Sequence, residues 1–515
     1  MSRARAYWVL GILCASVGLV VASITTLYIA GPEIARDIGA SQTELTWIID
    51  IYTLAMAGLL LPAGALGDRF GRRGVMIAGL GIFAASAVAL QFVDTPNALI
   101  VARAALGVGA ALILPSTLSL ITSTLPVDMR ETGVSIWTAA FSLAGVLGGL
   151  IAAILLEFFS WRSAFWSILA GAAIVLAASP TLPSSRDEDQ PPIDVWGALA
   201  ALVSVSALVA GFIQAGLDGW SDPKIIGLLT LGVVAGAVFA LIQLRRRHPL
   251  LDVRLFTNRS FAVASFTVMM CFASVYGLAF LIIPYQQVVL GDTALAASLP
   301  MSATAFTLIP ITIYASRLTR RFGLRVIVCA GCIFNALGFL ILLGIGSTGP
   351  VWVLFAATLP IGLGLGMAMV PCTQAIISNV SEAKQGVAAS VNHTTRELGT
   401  SLGVALFGGL LSGSYTSDML GITERLPGPA RDASRGSAAG ALEVAGRLGP
   451  RGQALADQAR DSYVHATQHT SLVMVFIMLA AGAVAALWAP PRSRADVTPS
   501  AIANAADPAT TSVAA

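Results

Sequence analysis

Five ionisable side chains stand inside otherwise apolar stretches of this chain: Asp50, Arg103, His393, Arg396 and Glu397. An acid or base at mid-depth in a bilayer costs about 2.5–3.5 kcal/mol on a translocon scale, so each needs a reason to be there. Asp50 can carry a proton or meet a cation, because protonation removes the cost of a buried carboxylate and can bias one conformation over another. It can equally be a fixed partner for an arginine, or a solvated acid at the mouth of a pore. Arg103, in Arg103-Ala-Ala-Leu-Gly-Val-Gly109, keeps its charge at ordinary pH and cannot itself relay a proton. It can help a neighbouring acid to release one, or form a structural ion pair. His393 stands four residues before Glu397 and three before Arg396, so on a helix it lies near the face of both. A His–Glu pair can share a proton, and a hydrogen-bonded packing histidine is the plainer alternative. Arg396 and Glu397 are sequence neighbours and point to different partners. Tyr52, Trp137, Phe141, Phe272, Tyr276 and Tyr285 could line a cavity, where aromatic faces attract organic cations. Packing and lipid contact are the alternatives for each.

The elements that must hold these residues are membrane helices. Of 515 residues, 56% are hydrophobic and 11% are charged, and the mean hydropathy is +0.81. Soluble domains carry about 25% charge, so too little is present here to cover soluble surfaces. A soluble enzyme, a nucleic-acid binder and a disordered chain are all excluded on that ground, and the net charge of +3 shows no basic stripe for nucleic acid. A helix needs about 20 apolar residues to cross the hydrocarbon. Fourteen such runs are predicted, at 7–29, 47–67, 75–93, 97–122, 133–156, 162–182, 195–216, 225–244, 260–288, 297–316, 324–345, 350–374, 386–413 and 468–488. The fold class is thus an all-α polytopic membrane protein. The N-terminus and the even-numbered loops carry most of the arginines, among them Arg69, Arg72, Arg73, Arg245, Arg247, Arg317, Arg320, Arg321, Arg325, Arg492 and Arg494. The positive-inside rule places that side, and both termini, in the cytoplasm of a cell-membrane protein. Segment 414–467, with six arginines and six acids, then falls outside as a solvated loop with helical spacing over 438–465. The tail 489–515, rich in Ala, Ser, Thr and Pro, reads as disordered and cytoplasmic.

The chain repeats itself. Leu66, Arg69, Phe70, Gly71 and Arg73 match Leu318, Arg321, Phe322, Gly323 and Arg325 at a constant offset, and Ala78-Gly79 matches Ala330-Gly331. Eight spans separate the two turns, where two plain six-span halves would separate them by six. An inserted pair of spans at 195–244 repairs the count. The expected organisation is a six-helix bundle at 1–183, a linker with two extra spans at 184–259, and a second, pseudo-symmetric six-helix bundle at 260–488. Parallel repeats of this kind are a transporter architecture, with substrate bound near mid-membrane between the halves.

Gly64-Ala-Leu-Gly-Asp-Arg-Phe-Gly-Arg-Arg73 resembles the loop signature of the major facilitator superfamily. The fourteen-span drug:proton antiporter branch carries the same extra pair. Further stretches resemble its quaternary-ammonium multidrug efflux pumps: Trp47-Ile-Ile-Asp-Ile-Tyr52, Leu251-Asp-Val-Arg-Leu-Phe256, Arg259-Ser-Phe261, Arg396-Glu-Leu-Gly399 and Gly403-Val-Ala-Leu-Phe-Gly408. The resemblance runs from about residue 8 to 488. It implies alternating access, with protons driving small amphipathic or cationic drugs outward. It implies that Asp68 and Arg72 form a gate network, with Arg69, Arg73, Gly64 and Gly71 around it, and that Arg103 takes part in proton transfer. In the second copy of the turn the acid is replaced by Arg320, so the halves are not expected to gate equivalently.

Two departures stand out. Ser23 occupies the place of the acid that family members usually have in span 1, and the span-5 signature Gly-Pro-x-x-Gly-Gly reads Gly148-Gly-Leu-Ile-Ala-Ala153 here. The proline kink is lost, although Gly145, Gly148 and Gly149 still permit close helix approach. The compared pumps also tend to have an acid where this chain has His393. These changes leave room for a changed stoichiometry and for an endogenous lipid or metabolite as the cargo. A non-transporting membrane sensor is the remaining alternative, and the intact gate residues argue against it. No cofactor or metal is expected. Cys329-Ala-Gly-Cys332 has no second pair, His465 and His469 lack a zincin motif, and no Walker loop is present. A monomer is expected.

Overall fold

Apolar chain that crosses lipid must satisfy its backbone hydrogen bonds internally, and a helix does so within one segment. The computed structural model describes residues 2–40, 42–186, 194–246, 249–347, 349–381, 384–424 and 426–490. Among these the fold is helical, with no β-strand. The helices are α1 (Arg3–Asp37), α2 (Gln42–Phe70), α3 (Arg72–Ala89), α4 (Pro96–Thr124), α5 (Val127–Phe158), α6 (Trp161–Ala178), α7 (Val195–Asp218) and α8 (Pro223–Arg245). They continue as α9 (Arg259–Pro284), α10 (Ala294–Phe322), α11 (Leu324–Ile341), α12 (Trp352–Ser378), α13 (Gln385–Thr423), α14 (Gly428–Gly436), α15 (Ala438–Leu448) and α16 (Gln453–Trp488). Thirteen helical segments among the described residues are long and apolar enough to cross a membrane. α13 is not one of them. Its 39 residues reach about 58 Å, but its middle carries Asn392, His393, Thr394, Arg396 and Glu397. It tolerates them because that middle is buried in protein and not in lipid.

Helix ends alternate between two faces. On one, Trp8 donates to Thr181, Arg73 to the Leu182 carbonyl, Asn258 to Asn379, and Arg325 to the Ala489 carbonyl. This is the arginine-rich face. On the other, the Trp161 amide donates to Glu33 at 3.0 Å, and Arg162 pairs with Asp37 at 2.9 Å and Asp94 at 2.7 Å. The hydrogen bonds from Trp161 and Arg162 hold the Asp37 carboxyl below its usual range. On the same face Tyr285 donates to the Gly346 carbonyl, and Gln468 to those of Leu343 and Ile345.

One apolar core joins α1–α6 through residues such as Leu13, Leu60, Phe83, Leu106 and Phe165. A second joins α9–α13 with α15 and α16 through Phe261, Phe339, Ile361, Phe407 and Met474. α7 packs across the line where α2 meets α13: Val205 and Val209 lie against Ala57 of α2 and Leu398 of α13. Small residues permit this, since a Cβ on Gly58 would stand 2.7 Å from Leu202. α5 has no interior proline, and Gly148 brings it against α1 so closely that a Cβ there would lie 2.6 Å from Ala22.

Segment 414–467 differs from the solvated loop expected. α13 continues to Thr423, and the periodic stretch splits into α15 and the start of α16. The break falls at Gly449-Pro450, where Gly449 has φ 61° and proline cannot extend the preceding turn. Ala441, Ala445, Leu455 and Ala459 turn inward to the second core, and Tyr415 donates to the Ser434 carbonyl at 3.0 Å. Residues 491–515, with Arg492 and Arg494, and Arg247 lie outside the described residues.

Candidate functional site

The two repeated turns share one backbone geometry. Gly71 has φ 101° and Gly323 has φ 86°, values open to glycine and strained for other residues. Arg69 lies over Phe70 and Arg321 over Phe322, each with 5.4 Å from guanidinium carbon to ring centre. From the first turn Asp68 reaches across the molecule. Its Oδ1 accepts from Arg72 Nε at 2.9 Å and from the Gly386 amide at 2.9 Å, and its Oδ2 accepts from the Val387 amide at 3.1 Å. Those amides are among the first of α13, so the carboxylate sits where the helix dipole favours negative charge. Arg72 also donates to Ser185 Oγ at 2.7 Å. Gly64 lets α2 and α13 touch, because a Cβ on Gly386 would meet the Gly64 carbonyl at 2.6 Å, and Ser390 donates to the Leu60 carbonyl at 2.7 Å.

The second copy of the turn makes a different closure. Arg320 pairs with Glu131 at the start of α5. Above that pair Ser316 meets Ser135 at 3.2 Å and accepts from Gln374 at 2.9 Å. Two contacts thus bind the helices together at the arginine-rich face, α2 to α13 and α5 to α10.

Deeper in, Arg103 of α4 is 1% exposed. It donates to Ser23 Oγ at 3.2 Å and to the Ile48 carbonyl at 3.3 Å, and its guanidinium lies 4.5 Å over the Tyr52 ring. Ser23, the residue in place of an acid, is therefore a direct partner of Arg103. Tyr52 in turn donates to the Val20 carbonyl and lies within electrostatic reach of Glu397 as well as Arg103. The carboxylates of Asp50 and Glu397 make no hydrogen bond or ion pair among the described residues.

Arg396 of α13 occupies an aromatic cage. Its guanidinium carbon stands 5.3 Å from the Trp137 ring centre, 4.9 Å from Phe141 and 5.1 Å from Phe272. His393 meets the edge of Trp137 at 5.4 Å, and Tyr276 stacks on Phe272 at 6.2 Å. The structure thus brings together Trp137, Phe141, Phe272, Tyr276, His393 and Arg396, with walls from α5, α9 and α13. Tyr52 lies with Arg103. Tyr285 stands apart, in a π-helical turn at Tyr285–Leu290 that ends α9 at the opposite face.

A family model described as the Major Facilitator Superfamily matches residues 13–404. The chain belongs to the major facilitator superfamily. It is a multi-pass membrane transporter and not an enzyme. Among its relatives, the multidrug efflux pump LfrA of Mycolicibacterium smegmatis is 30% identical over 485 residues, covering 93% of this chain and 95% of that one. The methyl viologen resistance protein SmvA of Salmonella typhimurium is 31% identical, covering 89% and 93%. The tetracenomycin C resistance and export protein of Streptomyces glaucescens is 29% identical, covering 92% and 90%. The crystal structure of the human organic anion transporter MFSD10 superposes with a TM-score of 0.61 over 94% of this chain and 100% of that one, at 14% identity. At that identity the likeness speaks for the major facilitator fold alone.

Several partners of the superfamily signature were not legible in the sequence. Gly386, Val387 and Ser390 receive α2, yet nothing in Gln385-Gly-Val-Ala-Ala-Ser390 marks a helix start that awaits a carboxylate. Glu131 was visible as a charge in a short loop, and only the tertiary fold pairs it with Arg320. Asn392 and Thr373, which hydrogen-bond beside Arg396 at 3.2 Å, carry no motif.

Proposed function

We propose that the protein is a proton-driven antiporter that exports lipophilic aromatic drugs or biocides by alternating access. The observation that carries this reading is the seal at the arginine-rich face: Asp68 straps α2 to the N-terminus of α13, and two unpaired carboxylates and an aromatic cage lie beyond it. A seal on one side of a buried site is what one access state requires. The arginine-rich face is cytoplasmic on this reading, with both termini inside and α13 as a fourteenth span of a cell-membrane monomer. Helices 1–183 and 260–488 form the two rocking bundles, and 184–259 carries the extra pair.

Asp50 and Glu397 are the proton carriers: neither carboxylate accepts a hydrogen bond among the described residues, and Glu397 lies within electrostatic reach of Arg396. Arg103 lies near the path and holds its charge. Small amphipathic or cationic compounds fit the carboxylates, and the names of the relatives support drugs of this breadth. A second reading, an endogenous amphiphile as cargo, is favoured by Ser23 in the place of an acid.

Reconstituted vesicles with an imposed pH gradient test the proposal, with ethidium as the reporter. Gradient-driven movement of ethidium is expected in the wild type and not in Asp50→Asn. Unchanged transport in that variant would remove Asp50 as a carrier. Movement of lipid with no movement of any drug would favour the second reading.

A further inference from the structure

We infer that the aromatic cage takes a planar ligand that brings a hydrogen-bond acceptor, such as a carboxylate, a phenolate or a quinone-type carbonyl, to Arg396. The inference rests on the transporter reading above and narrows its substrate class. Arg396 is 1% exposed and makes one hydrogen bond, from Nη2 to Thr373 Oγ1 at 3.3 Å. Its Nε and Nη1 have no acceptor. Asn392 Nδ2 and His393 Nε2, one turn earlier on the same helix, are also without partners. Asn392 and Arg396 are four residues apart and therefore stack on one face of α13.

Among the described residues no acceptor meets Nε or Nη1. Glu397 lies within electrostatic reach of Arg396, but adjacent helical residues diverge, and no hydrogen bond joins the two among the described residues. Trp137, Phe141 and Phe272 answer the positive charge through their ring faces. An aromatic face is a weak acceptor for an N–H, so the edge of the guanidinium stays unsatisfied. Desolvated donors on a charged group are expensive to leave unmatched.

The two halves of the site select together. A carboxylate or carbonyl oxygen can accept from Nη1 on one edge of the guanidinium or from Nε on the other, and a planar ring attached to it stacks among the three aromatic walls. An aliphatic acid would gain the hydrogen bond without the walls. A plain organic cation would gain the walls but bring a like charge to a desolvated guanidinium. A zwitterion satisfies both, with its positive end left for Glu397.

The test compares rhodamine B, which carries a free carboxylate, with its ethyl ester, which does not. Both have the same cationic ring system. Fluorescence anisotropy on the purified protein gives the two Kd values, and export is followed in vesicles with a pH gradient. The wild type is expected to bind the acid about tenfold more tightly than the ester, the size of one charge-assisted hydrogen bond. Arg396→Gln should bring that ratio close to one. Asn392→Leu, which keeps the arginine, should lower it by a smaller factor and serves if the first variant does not fold. A wild type that binds the ester as tightly as the acid overturns the inference and leaves the transporter reading standing. So does a ratio that survives Arg396→Gln. A wild type that binds neither dye also overturns the inference, while the proposed antiport stands or falls on the movement of ethidium.

Discussion

At the scale of single residues, the difference between Asp68 and Asp37 is one of burial. Asp68 is 5% exposed and accepts from a guanidinium and from two amides of another helix. Removing one partner of a buried charged pair costs about 3–5 kcal/mol. Asp68→Asn should therefore open the arginine-rich face, raising by tenfold or more the rate at which a membrane-impermeant maleimide labels a cysteine placed at Ala389. Asp37 is exposed, and its carboxyl is held low by Trp161 and Arg162. A lowered carboxyl adds stability above its unfolded pKa of about 3.9 and loses it as pH falls through the folded value. Asp37→Asn should lower the melting temperature slightly at pH 7, and the difference from wild type should shrink as pH falls below about 4. Asp68 could be read in the sequence because it interrupts a run of arginines. Its partners could not, because backbone amides carry no side-chain signature. Arg396 and its three aromatic neighbours were each visible, but their convergence depends on α5, α9 and α13 meeting at one level.

Between elements, α2 meets α13 by backbone contact, whereas α5 meets α10 through exposed side chains. Gly64→Ala would put a Cβ against Ser390 Oγ and against the Gly386 carbonyl, and the carbonyl is backbone that cannot swing aside. It should open the same face as Asp68→Asn in the maleimide assay. Glu131 and Arg320 are exposed, and such pairs are worth about 0.2–1 kcal/mol. Reversing either charge should raise labelling at the arginine-rich face only a few-fold, and Glu131→Arg with Arg320→Glu should return it most of the way to the wild-type rate. Equal effects from the two closures would show that burial does not rank them. The repeat exposed both turns in the sequence because Gly71 and Gly323 each need a left-handed backbone. The helices of 414–467 were harder to read. Their apolar spacing runs on across Gly449-Pro450, and periodicity alone cannot tell a face turned to water from one turned to α9 and α13.

For the whole molecule, α7 makes the two lines of helix contact unlike. α7 covers the line between α2 and α13, while the equivalent line between α5 and α10 has no such cover among the described residues. Leu147 and Ile151 of α5 and Phe306 of α10 are exposed. A carbene-generating lipid should label α5 and α10 heavily and leave Val205 and Val209 of α7 unmarked. Equal labelling of the two lines would place α7 elsewhere. Thirteen of the fourteen predicted runs fall on helices long and apolar enough to cross a membrane; the run predicted at 386–413 lies in α13, whose polar middle lowers its hydropathy and is buried in protein.

Under the proton-driven antiport proposed above, Ser23 beside Arg103 also limits how far cargo can be concentrated. Each proton carried per cycle adds about 2.3 kcal/mol for every 100 mV of membrane potential. At 1.4 kcal/mol per tenfold, that is a roughly fortyfold steeper ratio of outside to inside concentration. A serine in the place of a carboxylate takes one possible carrier out of the cycle. The pump then stalls against a shallower gradient, and it draws less on the proton supply of its host for every molecule expelled.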